Sequence, residues 1–163
     1  MVRYVLLYAV LFTVVGCQTL DTSQPAEWTM QGSMIIRTSE QADRVNIAWR
    51  QYQGDSEILL TGPLGTSIAR IAPAEPQSGL GYVLERPGEA PIEAASLFEL
   101  VELVLGLSIP IAEVTAVLSG DSLGKTVGAW QLVTTELDEQ QRPTQIEIAG
   151  PDVDIRLTVR TWL

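Results

Sequence analysis

From Trp28 onward, apolar and polar side chains alternate. Trp28, Met30, Met34 and Ile36 interleave with Thr29, Gln31, Ser33 and Ile35, and Val45, Ile47 and Trp49 interleave with Asn46, Ala48 and Arg50. A period of two sends successive side chains to opposite faces of a strand, so two strands are expected, with Gly32 as a point where the first can bend. Short apolar runs at Ile58–Leu60 and Ile68–Ile71, and again at Tyr82–Glu85, add three more. Near the C-terminus, Trp130–Leu137 and Gln145–Ala149 read as strands. In VDIRLTVRTW, Val153, Ile155, Leu157 and Val159 face one way, and Asp154, Arg156, Thr158 and Arg160 the other. The result is a sheet with one apolar and one wet face.

The middle of the chain changes period. In EAASLFELVELVLG, Leu97, Leu100, Val101 and Val104 recur at helical spacing, Glu99 and Glu102 lie on the polar side, and Gly106 stops the helix. After it, LSIPIAEVTAVLSG offers Pro110 as a fresh start and Val114, Val117 and Leu118 as a second apolar stripe. About five strands, two helices and three or more strands predict an α+β domain, with helices against the apolar face of one curved antiparallel sheet. A curved sheet that does not close makes an apolar trough. Short helices can fill it or merely cover it, and a covered pocket suits an acyl chain. Trp49, Ile155 and Leu157 are candidate walls, with Leu100 and Val104 as cover. Trp28, Trp130 and Trp162 are further large wall residues or plain core; periodicity leaves both readings open.

The stretch LLTGPLGTS, Leu59 to Ser67, breaks the polarity rule for turns. Gly62, Pro63 and Gly65 suit a tight reversal, because glycine tolerates positive φ and proline presets φ near −65°. Leu64 sits at the tip, where water-seeking residues are usual, and is expected to project into solvent.

Composition narrows the chemistry. The 163 residues fit one domain, and 46% hydrophobic content fits a packed one. The net charge of −10 argues against nucleic acid and against an electrostatic dock on anionic lipid. There is no histidine, which excludes histidine-based triads and histidine-ligated zinc. No G-x-S-x-G elbow, phosphate-binding loop or dinucleotide fingerprint appears. Neither an enzyme nor a cofactor is expected.

The one cysteine, Cys17, rules out an internal disulfide. Arg3, the apolar run Tyr4–Val15, Gly16 and Cys17 have the layout of a secretory signal too short to span a bilayer. Val14-Val15-Gly16-Cys17 fits a bacterial lipobox, where a thiol is needed to carry diacylglycerol. The expected division is a signal at 1–16, an acylated cysteine and tether at 17–27, and a single domain at 28–163. Gln18, where aspartate would favour inner-membrane retention, favours the outer membrane.

Further motifs point to one family. VVGC is followed by W-x-x-x-G at Trp28–Gly32, WRQ at Trp49–Gln51, LLTGPLG at Leu59–Gly65 and LGLSIPI at Leu105–Ile111. AWQLV at Ala129–Val133 and IRLTVRTW at Ile155–Trp162 complete the series. In this order they resemble the LolB family of outer-membrane lipoproteins, although Ala112–Gly128 is shorter than usual there. The resemblance implies an incomplete, unclosed antiparallel β-barrel, LolA/LolB-like, with short helices over an apolar cavity. It implies a protein anchored in the inner leaflet of the outer membrane. Its expected partners are a LolA-like periplasmic carrier and the acyl chains of cargo lipoproteins, and it is expected to be a monomer. The leucine of the family's matching turn touches the membrane, which here would be Leu64. The alternative is a scaffolding lipoprotein with a filled core.

Overall fold

The computed structural model describes residues 26–74 and 81–163. Cys17, the signal and most of the tether lie outside them. Ten strands form one sheet: β1 (Trp28–Thr38), β2 (Ala42–Gln51), β3 (Ser56–Thr61), β4 (Ser67–Pro73), β5 (Tyr82–Glu85), β6 (Ile92–Ala94), β7 (Gly124–Val127), β8 (Trp130–Leu137), β9 (Pro143–Ala149) and β10 (Val153–Trp162). Their order is β6-β5-β4-β3-β2-β1-β10-β9-β8-β7, with antiparallel pairing throughout. The first and last long strands are neighbours, so the terminal halves join at the centre. β6 and β7 are the two free edges, and the sheet does not close. These two short strands escaped the sequence reading, because three or four residues carry too little alternation to register.

Curvature has a local cause. Between Gln31 and Gly32 the β1–β10 register slips, and a Cβ on Gly32 would sit 2.1 Å from the Thr158 carbonyl oxygen. Only glycine permits that approach, and a bulge there bends the strand and sharpens its twist.

The helices α1 (Leu97–Leu105) and α2 (Ile111–Leu118) link edge strands β6 and β7 and lie over the concave face. Ser96 caps α1 by accepting from the Glu99 N–H at 3.3 Å, and Gly106 ends it in a left-handed conformation, its N–H donating to Glu102 O at 2.7 Å. α2 ends as Gly120 N–H donates to Val117 O and Asp121 N–H to Ala116 O, the paired pattern of a Schellman stop. Leu97, Leu100 and Val101 of α1 and Val114, Val117 and Leu118 of α2 are buried in one core with Met30, Ile71, Leu132, Ile146 and Ile155.

Candidate functional site

Alternation along the central strands aims Met34, Ile47, Trp49, Ile58, Leu60 and Ile71 into the concavity, and Ile148, Ile155 and Leu157 meet them from β9 and β10. Val101, Val104 and Leu105 of α1, Ile109 of the linker, and Ile111 and Val114 of α2 form the cover. The space is lined by apolar side chains alone, aliphatic apart from the Trp49 indole and the Met34 thioether. Trp49, Val104, Ile155 and Leu157 are therefore brought together on one lining. Leu100 is buried but is not among the residues lining the space; Val101, one position and about 100° further round the helix, is. Helical spacing finds the apolar stripe, but the stripe is wide enough to hold both. The other strand-borne lining residues were open to the same parity argument that selected Trp49.

The void itself measures about 40 Å³. That is small beside an apolar cavity of about 150 Å³, which admits a benzene-sized guest. An apolar space covered by short helices was expected, and the structure has one. Apolar side chains lose dispersion contacts across a gap, so the helices pack closely onto the sheet. A hollow of about 250 Å³ lies at the tips of β1, β9 and β10, but Arg37, Glu147, Asp154 and Arg156 line it, and it does not suit hydrocarbon.

The tryptophans divide by position. Trp28 packs against Trp49 at 5.9 Å and against Trp162 at 5.7 Å between ring centroids. This cluster fills one end of the concavity. Trp28 donates Nε1–H to Ser119 Oγ at 2.9 Å, tying the end of α2 to the start of β1. Trp130 stacks against Gly150, where a Cβ would meet its ring at 2.7 Å. Among the four, Trp49 alone lines the void.

Leu64 is 97% exposed. Its turn is a three-residue loop: Gly62 N–H donates to Thr66 O at 2.8 Å and Gly65 N–H to Gly62 O at 2.9 Å, with Gly65 at φ +82°. Asn46 Nδ2 donates to Gly62 O at 3.0 Å and braces the loop from β2. The tip is thus a stiff mount. Ile68, also exposed, extends its apolar surface along β4, a contribution that strand periodicity did not single out.

The outer face of the same hairpin is held electrostatically. Arg70 pairs with buried Glu57 at 2.6 Å and with Glu85 at 2.8 Å, bridging β3, β4 and β5. Burial works to lower the Arg70 pKa, but the hydrogen bonds to Glu85 and Glu57 outweigh it and hold the value above the ordinary one. Among the described residues, no group of carboxylates, cysteine or histidine could hold a metal ion, and no helix is long and apolar enough to cross a membrane.

The model of the family described as outer membrane lipoprotein LolB matches residues 26–154. Among curated relatives, the outer-membrane lipoprotein LolB of Thiobacillus denitrificans is 24% identical, over 98% of this chain and 97% of that protein. That of Pseudomonas paraeruginosa is 30% identical over 83% of this chain and 73% of its own length. That of Pseudomonas putida is 29% identical over the same shares.

Proposed function

The chain belongs to the LolB family of outer-membrane lipoproteins, and from that premise we propose how its own residues perform the family's task. It is a lipid-anchored outer-membrane protein that incorporates lipoproteins into that membrane. The reading assigns the anchor to Cys17, the acyl-binding surface to the apolar lining around Trp49, Val104, Ile155 and Leu157, and bilayer contact to Leu64. A LolA-type periplasmic carrier delivers the cargo, and the acceptor works as a monomer with no chemistry of its own.

The observation that carries this reading is the lining under α1 and α2, which presents hydrocarbon from both sheet and helices with no charged group. With about 40 Å³ free, cargo enters only as the helices part from the sheet. Such movement is feasible because few polar bonds hold them. Among the described residues these include the Trp28–Ser119 bond and an Arg86 Nη2–H donated to Leu103 O at 3.3 Å. Each methylene that enters gains about 0.8 kcal/mol, so ten buried methylenes offset about 8 kcal/mol of helix displacement. Once the helices lift, the acyl chain replaces their side chains against the sheet.

The test is handover. Protein lacking residues 1–17 is mixed with a carrier loaded with a triacylated lipoprotein, and the acceptor is then isolated. Cargo on the acceptor, with the loss of carrier-bound cargo matching it, is the expected result. An acceptor that takes up no cargo would refute the acyl-binding assignment and favour a scaffold with a filled core.

A further inference from the structure

One carbonyl holds the loop that carries Leu64. Gly62 O accepts the Gly65 N–H at 2.9 Å, which closes the loop, and Asn46 Nδ2–H at 3.0 Å, which ties it to β2. The loop needs that outside tie. Asn46 pairs with Thr61 at the last rung before the turn, and here the β3–β4 register slips: Leu60 faces Ala69, but Thr61 faces Ser67. A slip of this kind interrupts the regular ladder and sharpens the twist of the strand ends. The loop's own bonds therefore fix its shape, while its direction relative to the sheet depends on Asn46.

Asn46 in turn is held from β10. Its Oδ1 accepts from Arg160 Nη2 at 3.1 Å, and the same nitrogen donates to Gly32 O at 3.0 Å. A terminal guanidinium nitrogen carries two N–H groups, one for each acceptor. An asparagine amide can turn over and exchange its oxygen and nitrogen. Arg160 permits one setting only, because reversal would set NH2 against the guanidinium and oxygen against the Gly62 carbonyl. Arg160 thus keeps the donor of Asn46 on the loop, and Gly32, at the β1 bulge, holds Arg160. We propose that Asn46 and Arg160 are positioning residues for delivery: through a chain of hydrogen bonds from the β1 bulge they aim Leu64 at the bilayer. Neither lines the apolar space, so acceptance of cargo does not depend on them. This inference rests on the assignment of Leu64 to bilayer contact made above.

The experiment uses the full chain, a carrier loaded with a triacylated lipoprotein, and phosphatidylethanolamine–phosphatidylglycerol vesicles. Asn46→Ala, Asn46→Asp, Arg160→Met and Leu64→Ala are made singly, and each of the first three is combined with the last. Transfer of cargo to the acceptor and its incorporation into vesicles are measured on every variant. Asn46→Ala is expected to lower incorporation about three- to tenfold, the equilibrium weight of one hydrogen bond, with transfer near the native rate. Asn46→Asp keeps the side chain's size and its Arg160 contact but sets an oxygen against the Gly62 carbonyl, so incorporation should fall at least as far. Arg160→Met, at an exposed side chain, should lower incorporation about twofold, since a freed amide presents its donor to Gly62 O about half the time. In that variant the Asn46 side-chain amide resonances should move, while the Gly65 backbone amide, which closes the loop, keeps its shift. Added to Leu64→Ala, which leaves no long side chain to aim, none of the three should cause further loss. Losses that multiply would give Asn46 and Arg160 a separate task and overturn the proposal, and so would equal loss of transfer and incorporation, the mark of a folding residue. Unmoved Asn46 resonances, or native incorporation by the Asn46 variants while Leu64→Ala is impaired, would overturn the proposal and leave the Leu64 assignment standing. Native incorporation by Leu64→Ala would overturn the Leu64 assignment, and the proposal with it.

Discussion

Leu64→Glu tests the division of labour between cavity and turn. The wild-type side chain is 97% exposed on a loop closed by its own backbone hydrogen bonds, so the fold gains almost nothing from it. A solvent-facing substitution of this kind changes stability by about 0.5 kcal/mol or less. The lining around Trp49, Val104 and Ile155 is untouched, so acceptance of cargo from the carrier should stay within about twofold, since 0.4 kcal/mol is about a factor of two. Bilayer contact is different. A leucine entering hydrocarbon gains about 1.5–3 kcal/mol, and a carboxylate forgoes that gain and resists entry. A loss of 2–3 kcal/mol corresponds to about a 30- to 150-fold fall in the fraction of turns engaged with the bilayer. Anchoring through the acyl group proposed on Cys17 should persist, which separates this defect from loss of membrane residence. Two measurements on one preparation decide the matter: transfer of cargo from carrier to acceptor, and incorporation of that cargo into vesicles. The expected outcome is near-normal transfer with incorporation reduced at least tenfold. Equal loss in both would make Leu64 a docking or folding residue, and normal incorporation would refute the membrane-contact argument outright.

Three further outcomes are expected. Gly32→Val drives a side chain into the Thr158 carbonyl, 2.1 Å from the Cβ position, and should lower unfolding free energy by about 1–3 kcal/mol or more in a urea titration; wild-type stability would show that the β1 bulge relaxes freely. Arg70→Ala takes the Arg70 guanidinium and its hydrogen bonds away from buried Glu57 and should cost about 1–3 kcal/mol in the same titration; a loss under about 1 kcal/mol would contradict the burial argument. Asp138 provides the pH test. Desolvation pushes its pKa up, but the Arg142 N–H and guanidinium and the Gln140 N–H outweigh it and hold the carboxyl below the ordinary value. A depressed carboxylate contributes stability that is complete above its unfolded pKa, about 3.9, and is lost as pH falls through the lower folded value. The Gln140 and Arg142 amide resonances should therefore hold their shifts down to about pH 4 and move only below it, whereas titration at or above the ordinary carboxylate range would refute the turn's wiring.

Periodicity and motif order determined much about this protein. Alternation at Val153–Val159 and Val45–Trp49 follows from strand geometry whatever the neighbours are, so β10 and β2, the strands flanking β1, were legible. The spacing of Leu97, Leu100, Val101 and Val104, with Gly106 after them, was equally local. Gly62-Pro63-Leu64-Gly65 specifies its turn through backbone preferences alone, and so the exposure of Leu64 could be read before any fold was known. Cys17 is a reading from covalent chemistry and falls outside the described residues.

Other features depended on distance in space. Whether Leu100 or Val101 faces the void is a question of helix rotation against a sheet whose curvature arises elsewhere, partly at Gly32. That Trp28 and Trp162, at the two extremes of the domain, pack together follows only from β1 pairing with β10. The pairing of Arg70 with Glu57 and Glu85 required the register of three strands. The size of the void was the least legible of all. A hydrophobic pattern records which faces avoid water, but the volume between two such faces depends on how closely they settle, and close packing brings an empty apolar gap down to about 40 Å³. Tertiary structure also decided that the start of β1 and Leu64 stand at opposite ends, because direction along a sheet is the sum of its registers, and no single segment of the chain contains that sum.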